Sequence, residues 1–445
     1  MADHVVVVGG GASGVLMAAH LLRLPGRRFT VMIVEPDEDI GRGLAYGTDD
    51  PALLLNTRAG NMSAFEDDPS HFWRWLQESG RSDDVAPDGP FSFAPRLRYR
   101  EYLRDLLRHW LPETGDGRLR ILRDTCTGLS ETARGVNAAL ASGTAQTAAL
   151  AVLAIGHAPA VGHSPYDHAW ASPDELGIRP EEDILILGTG LSMVDKVVAL
   201  RLRGHRGRII AVSRRGLLPR VHAPTRPLQL DPADIPFGTG PAYVLRWLRR
   251  TVRWAEAQGR DWRDVMDALR PHTAALWQAM PPSGRARFLR HGRTLWDIHR
   301  HRMPPELASI LEESLADGFL RIEAGRLKDE TSKGGRHRAV IHWRGGADET
   351  VMVDRVIHCT GLLKPIEADA TGLVAELLST GAARKDALGL GLDVSDGCAL
   401  IGRAGLPSRR IHAIGPVTKA RFWEITAVPD IRAQAHRLAA RLAAL

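Results

Sequence analysis

The chain has 445 residues, 44% hydrophobic and 25% charged, which fits a soluble globular protein of two or three domains and excludes a fibrous or disordered chain. Its formal charge of +6 comes from an arginine-rich, lysine-poor composition whose excess is scattered. With no nucleic-acid motif, that scatter reads as solvated helix faces and stays compatible with anionic ligands.

The opening run His4-Val5-Val6-Val7-Val8 predicts a buried parallel strand, and Gly9, Gly11 and Gly14 predict its turn into a helix. Gly9 permits the tight turn, Gly11 lets a pyrophosphate approach the backbone, and Gly14 lets helix pack on strand. The helix start at Ala12 and Ser13 offers free N–H groups and a partial positive charge to phosphate. A second strand, Phe29 to Val34, ends on Glu35, whose carboxylate suits an unphosphorylated ribose hydroxyl and repels a 2′-phosphate. This first site therefore reads as FAD. A strand starting at residue 4 leaves no room for a signal peptide, and no apolar run reaches membrane-spanning length, so the expected location is cytoplasmic.

Residues 41–47 are glycine-rich and irregular, 69–76 predict a helix, 81–95 a loop, and 98–111 an amphipathic helix. Residues 118–155 read as short β-segments closing on the apolar run 150–155 with Gly156 and His157, where the chain leaves its first domain. The same grammar then repeats: strand Asp183–Leu187, glycines Gly188 and Gly190, Ser192, and a helix from there to Leu202. Met193 replaces the third glycine, which implies looser packing of helix on strand. The following strand, Arg208–Val212, ends on Ser213-Arg214-Arg215 rather than on an acid. A hydroxyl and two guanidinium groups there suit a 2′-phosphate, so the second site reads as NADPH; the other reading is a solvated turn.

Residues 216–235 are proline-rich and irregular, and 240–316 are helical, with Trp247, Trp254, Trp262, Trp277 and Trp296 read mostly as helix packing. Arg290 to Arg302 form a dense cationic cluster. It is either a charged helix end with carboxylate partners or an anion site for cofactor phosphate or substrate carboxylate. Strand-like segments return at 319–323 and 339–343, and 353–361 is a second apolar strand ending in Gly361, expected to lead back to the first domain. The C-terminal block, Ile411 to Gly415, then Phe422 onward, predicts a strand, a turn where Gly415 admits a ligand, and a helix entered at Pro429-Asp430. Cys126, Cys359 and Cys398 lie far apart with no Cys-x-x-Cys, which argues against a disulfide framework, a zinc site and a dithiol reductase; no metal-ligand spacing appears.

The expected fold is α/β, with two Rossmann-like dinucleotide-binding domains. The domains are 1–160 (FAD, first part), 161–350 (NADPH, with a helical insertion at about 220–316) and 351–445 (FAD, second part). This layout resembles the two-dinucleotide-binding flavoproteins. The closer resemblance is to the FAD/NAD(P)-binding family that includes FAD-dependent urate hydroxylases and aspartate N-hydroxylases. The likeness rests on Gly-Arg-Gly-Leu-Ala-Tyr-Gly at 41–47, Leu-Leu-Asn at 54–56, Met62-Ser63, residues 188–195, Trp296 to Pro305, and Phe422 to Arg432. It implies Asn56 as a cofactor contact, alongside Gly156, Gly361 and Gly415, and a class B monooxygenase-like activity. Ile155, His157 and Ala149 depart from the motif of ornithine and lysine N-hydroxylases, and Gly415-Pro416 stands where many flavin reductases carry Gly-Asp. Backbone N–H groups are then expected to serve the ribityl chain.

Together these readings lead to an NADPH-consuming, FAD-dependent monooxygenase. NADPH would reduce the flavin, O₂ would give a C4a-hydroperoxyflavin, and a small nucleophilic amine, amino acid or purine would be hydroxylated. The chemistry is borne by the flavin, so no catalytic side chain is singled out. Arg58, Asn61, Arg290, Arg300 and Arg302 are the candidates for substrate contact. The alternatives are an NADPH:acceptor oxidoreductase without oxygen insertion, or a non-catalytic flavin redox sensor. The expected partners are a small-molecule substrate and O₂, without nucleic acid or membrane.

Overall fold

The structure, a computed structural model, describes residues 4–26, 29–82, 85, 88–157, 170–360 and 372–444. Its strands are His4–Val8 (β1), Thr30–Val34 (β2), Leu119–Leu122 (β3), Cys126–Glu131 (β4), Val136–Leu140 (β5), Ala145–Ala148 (β6), Leu150–Leu153 (β7) and Ile184–Leu187 (β8). They continue with Ile209–Ser213 (β9), Leu320–Lys333 (β10), Arg336–Trp343 (β11), Asp348–Val353 (β12), Arg355–His358 (β13), Ala399–Ile401 (β14) and Pro407–Ala413 (β15). The helices are Ala12–Arg23 (α1), His71–Glu78 (α2), Arg96–Leu107 (α3), Leu191–Leu202 (α4), Pro241–Glu256 (α5), Trp262–Leu269 (α6) and Thr273–Ala279 (α7). After them come Pro282–Arg287 (α8), Arg293–Arg300 (α9), Pro305–Ala316 (α10), Gly372–Thr380 (α11), Lys419–Phe422 (α12) and Val428–Ala443 (α13).

Two six-stranded sheets organise the chain, ordered β14-β15-β7-β1-β2-β3 and β12-β11-β10-β9-β8-β13. In each, the strand that enters the glycine turn, β1 or β8, runs parallel to both neighbours. The all-valine opening follows from this central place. Val5 and Val7 face a core shared with α1, α3 and α13, while Val6 and Val8 face one shared with the small sheet β4-β5-β6 and α11. A strand covered on both faces needs no polar alternation. β8 repeats the pattern: Ile184 and Ile186 pack toward α4 and α10, and Leu185 and Leu187 toward β11 and β12. The expected α/β fold with two Rossmann-like units is the one observed.

The segment 353–358, expected to begin the return to the first domain, instead contributes β13 to the second sheet, pairing in parallel with β8. Since β12 also belongs to that sheet, the second sheet extends past residue 350, to His358. Apolar strands ending toward a glycine serve both units alike, so the local pattern does not reveal the sheet. Gly361 lies outside the described residues. Of the insertion tryptophans, Trp247 and Trp277 are core, but Trp254 is 52% exposed. All three cysteines are buried and unpaired.

Candidate functional site

The first glycine turn is shaped by what its glycines exclude. Gly9 has φ +104°, and a Cβ there would lie 2.6 Å from the Ala154 carbonyl oxygen. A Cβ at Gly14 would overlap the Gly9 carbonyl. Gly11 differs: the nearest neighbour of a Cβ there would be the Gly43 Cα at 3.5 Å, so this position is open. Gly11 caps α1 with no side-chain hydrogen bond, and the first turn contains no acid, so the N–H groups of Ala12 and Ser13 stay available to an anion. Glu35 accepts the Gly10 N–H at 2.6 Å and the Asp37 N–H at 3.0 Å, which fixes its carboxylate beside the turn with acceptor capacity to spare. The run at 41–47 folds over this site. The Gly41 N–H reaches the Gly10 carbonyl at 2.8 Å, and Gly43 faces Gly11. Its glycine content was the signal in the sequence, although its role was not readable from spacing.

Gly415, φ +73°, abuts Ser13, bringing the end of β15 to the same turn. Its N–H is not free for a ligand: it donates to Gln434 Oε1 at 2.7 Å. Gln434 is buried on α13 and must satisfy its amide there, so this N–H is not among the backbone groups left for the ribityl chain. At Gly156, φ +66°, a Cβ would meet nothing within 4 Å.

The second turn copies the first, tighter at its first glycine and more open at its second. Gly188 has φ +114°, and a Cβ there would overlap the Cys359 carbonyl, as Gly9 would with Ala154. Gly190 caps α4, is exposed, and has nothing within 4 Å of a Cβ; Ser192 is half-buried in the first turn, which again contains no acid. Met193 is fully buried in the core beneath, where the first unit has Gly14. The Ser213 hydroxyl pairs with Thr189 Oγ1 at 2.8 Å and accepts the Gly216 N–H at 3.1 Å, so it builds the turn. Arg215 donates to the His291 carbonyl at 3.0 Å. Arg214 is exposed and has no partner among the described residues, so it is the guanidinium free to meet a ligand.

The two units and the insertion are strapped together around these turns. Arg96 of α3 pairs with Asp195 of α4 at 2.6 Å, where burial raises the Asp195 carboxyl and Arg96 opposes it. The Asn56 carbonyl accepts from His222 Nε2 at 3.1 Å, and Arg58 donates to the Ala223 carbonyl at 2.8 Å. Burial, with Arg302 and Arg58 nearby, drives His222 down to about 3, so its ring is neutral. The Asn61 carbonyl faces Arg432 at 3.3 Å, and the side chains of Asn56 and Asn61 are exposed.

The cationic cluster is mostly consumed internally. Arg300 pairs with Glu424 at 2.8 Å, Trp296 Nε1 donates to Glu424 at 2.7 Å, and Arg302, buried, pairs with Asp267. Burial pushes Glu424 up, but Arg300 and His301 hold it below the usual carboxylate range. Arg290 is exposed and apart from these pairs. Arg300 and Arg302 therefore have the carboxylate partners of a charged helix end. Trp423, φ +52° and buried, stacks on Trp277 at 4.5 Å and 21°, and Trp277 Nε1 donates to the Ala420 carbonyl at 2.8 Å. Among the described residues no group of His, Cys, Asp and Glu is placed to hold a metal, and no helix is long and apolar enough to cross a membrane.

Residues 6–158 match a family model described as FAD-NAD(P)-binding. No curated protein matches the sequence significantly. The fold is similar to the ornithine N-hydroxylase of Kutzneria sp. 744, with TM-score 0.68, 14% identity, and coverage of 100% of this chain and 99% of that one. It is similar to L-lysine 6-monooxygenase from Pseudomonas syringae, with TM-score 0.68, 17% identity, and coverage of 100% and 99%. The bacillithiol disulfide reductase of Bacillus cereus is more distant, at TM-score 0.53, 12% identity and 99% coverage of both chains. The chain thus has the two-unit fold of these proteins, with an FAD-NAD(P)-binding module matched over its first third.

Proposed function

We propose that the protein binds FAD at the first turn and NADPH at the second, and hydroxylates a small amine, with a purine as the further substrate class. The observation that carries this reading is the contrast between two uncapped, acid-free helix N-termini. One lies beside the carboxylate of Glu35, and the other beside the unpaired guanidinium of Arg214. Bound flavin supplies the electron transfer and the oxygen chemistry. The chain's part is to hold and to enclose. Gly11, Ala12 and Ser13 present N–H groups to the diphosphate, and Glu35 accepts from the ribose hydroxyl. Gly190 and Ser192 cradle the second diphosphate, and Arg214 pairs with the 2′-phosphate. The contacts at Arg96, Arg58 and His222 tie the first unit to the second and to the insertion.

The N-hydroxylating neighbours favour oxygen transfer to an amine over plain electron transfer. The dispersed, buried cysteines support the same choice, since a dithiol reductase needs a paired and accessible set. Purified FAD-loaded protein should oxidise NADPH and form peroxide, and a true amine substrate should suppress that peroxide while accelerating NADPH use. Acceptor reduction with no amine effect would support the oxidoreductase reading. Negligible turnover would support a sensor.

A further inference from the structure

The cationic excess, which reads as scattered along the sequence, concentrates in the helical insertion. Residues 241–302 hold thirteen arginines against five carboxylates, more than the whole formal excess of +6. After α5, the buried and half-buried ones find acceptors. Arg270 meets Asp430 at 2.9 Å, Arg300 meets Glu424 at 2.8 Å, and Arg285 donates to the Trp277 carbonyl at 3.0 Å. α5 itself is different. Arg246, Arg249, Arg250 and Arg253 are all exposed, and none makes an ion pair among the described residues. Their spacing of three and four residues sets them in one row along the helix. The opposite side is taken up by packing, with Val244, Trp247 and Leu248 against Ile235, Leu269 and Leu276. Tyr243 and Trp254, 48% and 52% exposed, stand at the two ends of the row. The Arg246 guanidinium lies over the Tyr243 ring at 5.6 Å, and Arg253 Nε donates to the Arg249 carbonyl at 3.3 Å. Like charges one turn apart on a helix repel, and an opposing row of anions relieves that repulsion.

We propose that the outer face of α5 docks a protein partner through an acidic helix. The partner's carboxylates repeat at the same three- and four-residue spacing, with apolar side chains at the ends to meet Tyr243 and Trp254. Charge complementarity sets the sign of the partner, and the residue types set its class. Exposed arginine, tyrosine and tryptophan together are the anchors of protein interfaces. A lipid surface fits less well, because the aliphatic side of α5 is packed inside the insertion and leaves no apolar face to enter a bilayer. A nucleic acid also fits less well. The row is only about 10 Å long at about 1.5 Å per residue, and a strand needs a cationic groove that tracks its backbone. None of these residues belongs to either glycine turn, so the proposal stands apart from the proposed reaction.

The test follows the fluorescence anisotropy of a labelled synthetic helix, with glutamates at every third and fourth position and a leucine at each end, as FAD-loaded protein is added. The controls are a scrambled peptide of the same composition, phosphatidylserine vesicles and single-stranded RNA. The patterned helix should bind saturably, about tenfold or more tighter than the scrambled one, and should weaken as salt rises from about 0.05 M to about 0.3 M. Reversing two charges together, Arg249→Glu with Arg253→Glu, should weaken it about tenfold or more. Trp254→Ala should weaken it as well. All three substitutions should leave FAD content and NADPH oxidation as in the parent. Equal binding of patterned and scrambled peptides, or none of either, overturns the proposal, and that arm needs no variant to fold. Binding of vesicles or RNA without the patterned helix overturns the class of partner. Patterned-helix affinity unchanged by the double charge reversal overturns the site.

Discussion

Gly11 and Gly14 sit three residues apart in the same turn, yet they should fail in different ways. In Gly14→Ala the new methyl overlaps the Gly9 carbonyl, and both α1 and β1 are core, so neither can retreat cheaply. Overpacking of this kind costs about 1–3 kcal/mol or more, and the variant should lose several degrees in Tm even without cofactor. In Gly11→Ala the methyl comes no closer than 3.5 Å to any described atom, and the backbone sits at φ −70°, which any residue adopts. The folded chain should lose no more than about 1 kcal/mol, the scale of a changed helix cap. The methyl nevertheless stands where the diphosphate must approach, so FAD affinity should fall at least tenfold, about 1.4 kcal/mol. Gly190→Ala, with open space around it, should raise KM for NADPH and leave FAD bound. The assays are the 450 to 280 nm absorbance ratio, titration of FAD into FAD-free protein, and thermal melts of that protein. A Gly11→Ala variant that binds FAD as tightly as the parent would refute the reasoning, as would a Gly14→Ala variant with an unchanged melt.

Arg214→Ala should lower kcat/KM for NADPH about 10- to 100-fold, the 1.5–3 kcal/mol of a charge-assisted contact, and leave NADH unaffected. Because the side chain is exposed, the effect should shrink in high salt; an unchanged NADPH to NADH ratio sinks the assignment. Glu424→Gln leaves Arg300 buried without its carboxylate, at a cost on the order of 3 kcal/mol, softened by Asp430 at 3.9 Å. A shift of the urea midpoint checks this, and an unmoved midpoint contradicts it. Burial lowers His20 and His412 to about 4 each, so below pH 6.5 the unfolded chain binds protons that the folded chain refuses. Stability should therefore fall as pH drops from 6.5 toward 4, by on the order of 1.4 kcal/mol per histidine per pH unit, read from melts across that range.

What could be read from the sequence was local. Both glycine turns, the strands entering them, Glu35 and the C-terminal helix are contiguous patterns with a steric reason at each position, and they stand where the spacing places them. What could not be read was pairing at a distance. Arg300 looks free in its own helix, and its partner Glu424 lies 124 residues on; Arg302 finds Asp267 on another helix. β13 has the same apolar signature as β7, and only its hydrogen bonding to β8 assigns it to the second sheet.

The central claim is oxygen insertion into an amine by a flavin that NADPH reduces. Its most direct test is turnover of FAD-loaded protein with NADPH and a panel of amino acids under ¹⁸O₂, with mass spectrometry of the products. The account predicts an N-hydroxylated product carrying one ¹⁸O atom, formed in step with NADPH consumed beyond the peroxide background. NADPH oxidation that yields only labelled peroxide with every amine, or that proceeds with an electron acceptor in place of O₂ and leaves the amines unlabelled, would contradict it.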